Sequence, residues 1–243
     1  MADSNRTGAF QLSDVRQRSL DGFWENAGTN AQYGWFAGGN TGAVTCSVDR
    51  IDFSNDTATA LARGTLDTAK TNAGVTNTAN YSWHAGGSII GVISNISRIQ
   101  FSNDTAVSLS RGALANSVTA SAGTGNTTYG WFSGGGPTLI SNISRLIYAS
   151  DTTNATSRGN LSVAKYLTAG STNGYYGWII GGATPAALSS VDRLDFSNDN
   201  LITTVRGPQL IARYYHSTVG NSGYRWIGGG YGAAEQSSVE RTD

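Results

Sequence analysis

The chain has 243 residues, with 16 Lys and Arg set against 16 Asp and Glu, and only 13% of its residues are charged. Such a length buries roughly 70–75% of the unfolded surface on folding, so no covalent staple is needed, and the lone Cys46 has no partner for an intrachain disulfide. The sparse, balanced charge argues against the basic footprint of nucleic-acid or anionic-membrane binding, and no apolar run approaches the roughly 18 residues of a membrane-spanning helix.

The first residues, Met1-Ala2-Asp3-Ser4-Asn5-Arg6-Thr7, have neither a basic start nor an apolar stretch, so no signal peptide and no membrane insertion are expected. Beyond them one segment recurs five times. It is marked by Tyr33-Gly34-Trp35, Tyr81-Ser82-Trp83, Tyr129-Gly130-Trp131, Tyr176-Gly177-Trp178 and Tyr224-Arg225-Trp226, each followed by a glycine pair. The tryptophans lie 48, 48, 47 and 48 residues apart, so repeats starting near 33, 81, 129, 176 and 224 fill nearly the whole chain as a single domain, 1–243.

Within a repeat, short apolar or small-residue runs alternate with Gly, Asn, Ser and Asp, the pattern of strands and turns. The second repeat predicts an inner strand over 71–76, an aromatic strand over 81–85, an alternating strand over 95–101 and a short edge strand over 106–109. Four antiparallel strands per repeat make a propeller blade, and the fold class is all-β, a five-bladed β-propeller whose ring removes long exposed sheet edges. Small residues at Ala27-Gly28, Ala73-Gly74, Ala122-Gly123 and Ala169-Gly170 suit inner strands converging on a narrow axis. Glycine or serine at Gly34, Ser82, Gly130 and Gly177 is expected to make room for a neighbouring blade's tryptophan.

The third strand carries Val48-Asp49-Arg50, Ile96-Ser97-Arg98, Ile143-Ser144-Arg145, Val191-Asp192-Arg193 and Val239-Glu240-Arg241. A Ser-Asn-Asp turn follows, expected to be a tight hairpin, and an Arg-Gly dipeptide at Arg63, Arg111, Arg158 and Arg206 closes the blade. The chain stops in mid-repeat, and Ser4-Asn5-Arg6-Thr7 matches Ser54-Asn55-Asp56-Thr57. Residues 1–32 are therefore expected to complete the last blade, with 7–12 as its outer strand, and to supply the first inner strand.

The glycine pair after an aromatic strand, the Val-x-Arg strand, the turn and the Arg-led strand resemble the kelch repeat of β-propellers over essentially the whole chain. The tryptophan stands before the glycine pair rather than well after it, and there are five units rather than six or seven. The variant at residues 48–57 with its later Arg-Gly, and Gly8-Ala9-Phe10-Gln11-Leu12 with Trp24, look like stretches of virion proteins of marine tailed phages, cyanophages especially. That resemblance implies a structural or adhesive virion protein, made in the host cytoplasm, present in multiple copies as a tail or fibre component or capsid decoration. Its implied partners are other virion proteins and a host surface glycan or receptor.

Catalysis is not expected. Most carboxylates, among them Asp49, Asp52, Asp56, Asp104, Asp192, Asp195, Asp199 and Glu240, fall in the third strand or its turn, toward the outside, as turn formers and partners of the repeated arginines. Glu25 alone sits at an inner strand, which makes no acid–base pair for a five-bladed glycoside hydrolase. The two histidines, His84 and His216, fall in different repeats, so neither a metal site nor a nucleophilic triad is assembled and no cofactor is expected. Trp35, Trp83, Trp131, Trp178 and Trp226 read as core between blades, and Arg50, Arg98, Arg145, Arg193 and Arg241 as structural ties. Binding is assigned to the places where the copies differ: Asn40, Thr41, Ile89, Ile90, Pro137, Thr138, Leu139, Pro185 and Tyr231 in loops, with Tyr214 and Tyr215. Ile89, Ile90, Leu139 and Ile140 together would form an apolar patch for a protein partner. A free glycan-binding lectin, with one shallow site per blade, is the alternative.

Overall fold

The computed structural model describes residues 32–55, 57–221 and 223–242. It is a five-bladed β-propeller. The first blade shows β1 (Tyr33–Ala37), β2 (Ser47–Asp52) and β3 (Leu61–Thr65). The second holds β4 (Gly74–Asn77), β5 (Tyr81–Ala85), β6 (Asn95–Gln100) and β7 (Leu109–Ala113), and the third β8 (Ala122–Gly125), β9 (Tyr129–Ser133), β10 (Asn142–Ile147) and β11 (Thr156–Asn160). In the fourth, β12 (Ala169–Thr172) and β13 (Tyr176–Ile180) are followed by a small hairpin, β14 (Ala183–Thr184) and β15 (Ala186–Ala187), then β16 (Val191–Asp195) and β17 (Thr204–Arg206). The fifth shows β18 (Ser217–Gly220), β19 (Arg225–Gly228) and β20 (Val239–Thr242). Each blade is an antiparallel meander, ordered from inner to outer strand as in β4-β5-β6-β7. The closing strand expected at 7–12 and the first inner strand expected at Ala27-Gly28 lie outside the described residues.

The first four aromatic strands start and end where the sequence places them, because Tyr-x-Trp and the glycine pair bracket each one, whereas β19 starts one residue later, at Arg225, and runs into Gly228. Gly86, Gly134 and Gly181 then turn the chain with φ of 67°, 68° and 55°, a region open to glycine at little cost. The outer strand is displaced from expectation. It runs from Leu109 to Ala113, not over 106–109, because the expected tight hairpin is a longer link that starts with a 3-10 turn (Phe101–Asn103). Arg111-Gly112 therefore lies within the outer strand rather than after it.

The inner strands touch one another through bare backbone. A Cβ on Gly123 would stand 2.0 Å from the Val75 carbonyl oxygen, and one on Gly170 would stand 2.2 Å from that of Gly123. No side chain fits there, which is why the inner strand is poor in large residues.

Candidate functional site

Two places on this frame concentrate chemistry: the junctions between blades and the axial end where the loops gather. At a junction, the third-strand arginine lies directly across from the tryptophan of the second strand, as in Trp83 opposite Arg98 and Trp131 opposite Arg145. The guanidinium also covers the tyrosine two residues earlier, 4.5 Å from the Tyr81 ring centre and 4.6 Å from that of Tyr129, and the same stack recurs for Arg50, Arg193 and Arg241.

Both groups then converge on one aspartate of the next blade. Asp151 accepts from Trp83 Nε1 at 2.8 Å and from Arg98 at 2.9 Å, with Arg111 3.4 Å away. Asp104 does the same for Trp35, Arg50 and Arg63, and Asp199 for Trp131 and Arg145, with Arg158 at 3.8 Å. The carbonyls of these aspartates accept in turn from the N–H of Gly64, Gly112 and Gly159. One aspartate thus binds the arginine and the glycine of the Arg-Gly dipeptide at once at Arg63, Arg111 and Arg158. The glycine is obligatory there, since a Cβ on Gly112 would stand 2.1 Å from the Thr153 oxygen. Burial pulls the Asp104 carboxyl upward, but hydrogen bonds from Arg63 and Trp35 and the charges of Arg50 and Arg63 outweigh it and hold it below its ordinary value.

The glycine of Tyr-Gly-Trp has a different neighbour from the one expected. A Cβ on Gly130 or Gly177 would meet first a threonine of the previous blade, Thr76 or Thr124, and then Tyr148 or Phe196 of its own blade, not a neighbour's tryptophan. Those rings reach across and stack on the previous blade's tryptophan, Tyr148 on Trp83 at 4.1 Å and Phe196 on Trp131 at 4.0 Å. At the fourth junction the corresponding aspartate position falls outside the described residues, and the Arg225 guanidinium covers Trp178 at 3.2 Å from the ring centre.

Not all expected acids behave as turn formers. Asp192 is fully buried against Lys165 at 2.7 Å, with Ser162 N–H and the Thr203 hydroxyl also donating to it. Although burial opposes it, these partners keep Asp192 ionised. Glu240 pairs with Arg213. Lys70, in the same place in the second blade, reaches only the carbonyls of His84 and Asn95 and the Asn95 side chain, and burial lowers it to about 8. This set of buried cations was missed by sequence reasoning, although Ala69-Lys70, Ala164-Lys165 and Ala212-Arg213 sit at repeat-equivalent positions. His84 is buried beside Ser82 and lowered to about 4 by burial and by the Lys70 charge.

The variable residues assigned to binding lie at one end of the propeller. Backbone bridges join Thr71 to Ser88, Thr119 to Gly136, Tyr166 to Ala183 and Tyr214 to Tyr231, so the loops after the last four glycine pairs are tied to the approach of an inner strand. Asn40, Thr41, Ile89, Ile90, Pro137, Thr138 and Pro185 are exposed there. The expected apolar patch does not form as a unit: Leu139 is half-buried and Ile140 packs on the core with Leu146 and Phe132, leaving Ile89 and Ile90 outside. The tyrosines do come together, with Tyr214 centred 5.4 Å from Tyr215 and 5.5 Å from Tyr231.

Between these loops, at the axis, lies a cavity of about 220 Å³ lined by Asn72, Ala73, Ala120, Ser121, Leu167, Thr168, Tyr215 and His216. It is built from the same two positions of four successive blades. Asn72, Ala120, Leu167 and Tyr215 all adopt left-handed backbone, with φ between 54° and 59°. That turn aims carbonyls at the next blade, and Ala120 and Leu167 donate their N–H groups to the carbonyls of Asn72 and Ala120. A larger cavity of about 840 Å³ opens beside Gln32, Trp35 and Val75. Among the described residues no cluster of His, Cys, Asp and Glu is suited to a metal ion. Compared with known proteins, the sequence matches no family model, and no curated protein is similar to it.

Proposed function

We propose that the chain is a non-catalytic structural or adhesive protein of a tailed-phage virion, a kelch-like propeller that contacts other virion proteins and a host surface glycan or receptor. The observation that carries the non-catalytic reading is the use made of the ionisable groups. Asp104, Asp151 and Asp199 are each engaged by an indole and two guanidiniums, and Asp192 and Glu240 by buried cations, so their charge fastens blades instead of facing a substrate. The hydrolase alternative needs a carboxylate pair separated by at most about 10 Å, and the described lining of the axial cavity holds none. The sequence resemblance supplies the virion. A rigid body with its variable residues on one end suits recognition by many copies, where avidity multiplies weak contacts.

Antibody labelling of purified particles, viewed by electron microscopy, tests the reading. Label on the tail or fibre supports an adhesin and label on the head supports a decoration protein, whereas unlabelled particles refute both.

The free lectin is kept as a second reading because of the exposed tyrosine cluster. Its requirement of one equivalent site per blade is not met by the tyrosines, which cluster in the fifth blade.

A further inference from the structure

The polar groups of the axial cavity lack partners. Ser121 and His216 are more than nine-tenths buried, yet the Ser121 hydroxyl makes no hydrogen bond, and neither does the Thr168 hydroxyl; the His216 ring nitrogens make none of ordinary geometry, with only the Ile180 carbonyl acting on the ring. Buried groups of this kind are ordinarily satisfied, and these occupy the same position in three successive blades and line one cavity. Among the described residues nothing charged lines it. His216 is neutral at physiological pH, lowered to about 4 by burial and the charge of Arg213, with the Ile180 carbonyl acting the other way. Tyr215 stands in the lining while 64% exposed, with the Tyr214 ring beside it. A large side chain held in left-handed backbone at such a site is a conformation the fold must maintain at a cost.

We propose that this cavity binds one neutral, hydroxyl-rich ligand, the terminal sugar unit of a glycan, stacked on Tyr215 and hydrogen-bonded by Ser121, Thr168 and His216. Hydroxyls that both donate and accept match a sugar, which offers the same groups, and the aromatic wall suits its C–H face. An anion finds no cationic side chain among the described lining residues, and an apolar ligand would leave the hydroxyls and imidazole unsatisfied. The volume suits a small ligand, below the usual range of about 300–1,000 Å³ for drug-sized sites. The inference rests on the recognition reading above and differs from the lectin alternative in having one site at the axis instead of one per blade.

Saturation-transfer NMR of the full chain with glucose, galactose, mannose, N-acetylglucosamine and anionic sialic acid tests it. Transfer to at least one neutral sugar is expected, weakened about fivefold by Thr168→Val, the loss of one neutral hydrogen bond, and abolished by Tyr215→Ala. The folds of two variants are safeguarded by the repeat itself, since the third blade carries Ala120 where Tyr215 stands and the second carries Ala73 where Ser121 stands; Ser121→Ala therefore serves as the second hydroxyl variant. Absence of transfer from every neutral sugar, the result if the groups hold only ordered water, overturns the inference, as does transfer that neither Tyr215→Ala nor Ser121→Ala alters. Stronger binding of sialic acid than of every neutral sugar also overturns it. Any of these results leaves the virion reading standing, because that reading depends on presence in particles.

Discussion

Asp151 is the residue on which the second and third blades depend. With its side chain 6% exposed it accepts from an indole N–H and from Arg98, stands 3.4 Å from the Arg111 guanidinium as an ion pair, and its carbonyl takes the Gly112 N–H. Asp151→Ala leaves two donors without an acceptor and a third cation, Arg111, without its counter-charge, and urea denaturation should show a loss of about 3 kcal/mol. Asp151→Asn keeps one acceptor and should lose less. Gly112→Ala keeps every polar group but forces a methyl onto the Thr153 carbonyl, and should cost about 2 kcal/mol in the same assay. The Asp104 junction adds a pH term. Its carboxyl is held below the unfolded value of about 3.9, so its contribution is complete above that pH and is lost as pH falls through the folded value.

The approach to each inner strand is the element whose chemistry varies most between blades. Lys70 titrates at about 8 when folded and near 10.4 when unfolded. Between those values the unfolded chain holds the extra proton, so stability rises with pH from about 8 to about 10. Lys70→Met removes this slope: relative to the parent, its stability should fall by on the order of 3 kcal/mol between pH 7 and pH 10.5, measured by denaturant titration. His84 and His216 act at the other end. Both fold neutral and are lowered to about 4, whereas the unfolded chain takes up protons below about 6.5. Stability is therefore lost as pH falls from 6.5 to 4, and His84→Phe, the residue type at Phe36 and Phe132, should halve the slope in acid melts. The left-handed turn at Ala120 predicts that Ala120→Gly is neutral or stabilising by up to about 1 kcal/mol, since relief of the side-chain clash offsets the added backbone freedom.

At the scale of the molecule, the propeller is legible in the spacing of Trp35, Trp83, Trp131, Trp178 and Trp226, because a strand that must pack on both faces tolerates little change from copy to copy. The second-strand boundaries are equally legible, since a glycine pair in left-handed backbone ends each one. Local pattern does not reveal which groups meet across a junction: Asp151 lies 68 residues from Trp83, and its partners are set by ring geometry. The displaced outer strand has the same origin, for Arg111-Gly112 pairs with the next blade rather than turning the chain. The axial cavity is hidden for another reason, as Ser121, Thr168 and His216 are unlike residues whose equivalence shows only when the repeats are superposed.

The central proposal, that this propeller is a component of a virion, is tested most directly by quantitative mass spectrometry of density-purified phage particles recovered from lysed cells that carry its gene. Its peptides are expected in fixed, multiple copies per particle, retained through a salt wash. Their absence from intact particles, with the protein found only free in the lysate, would contradict it.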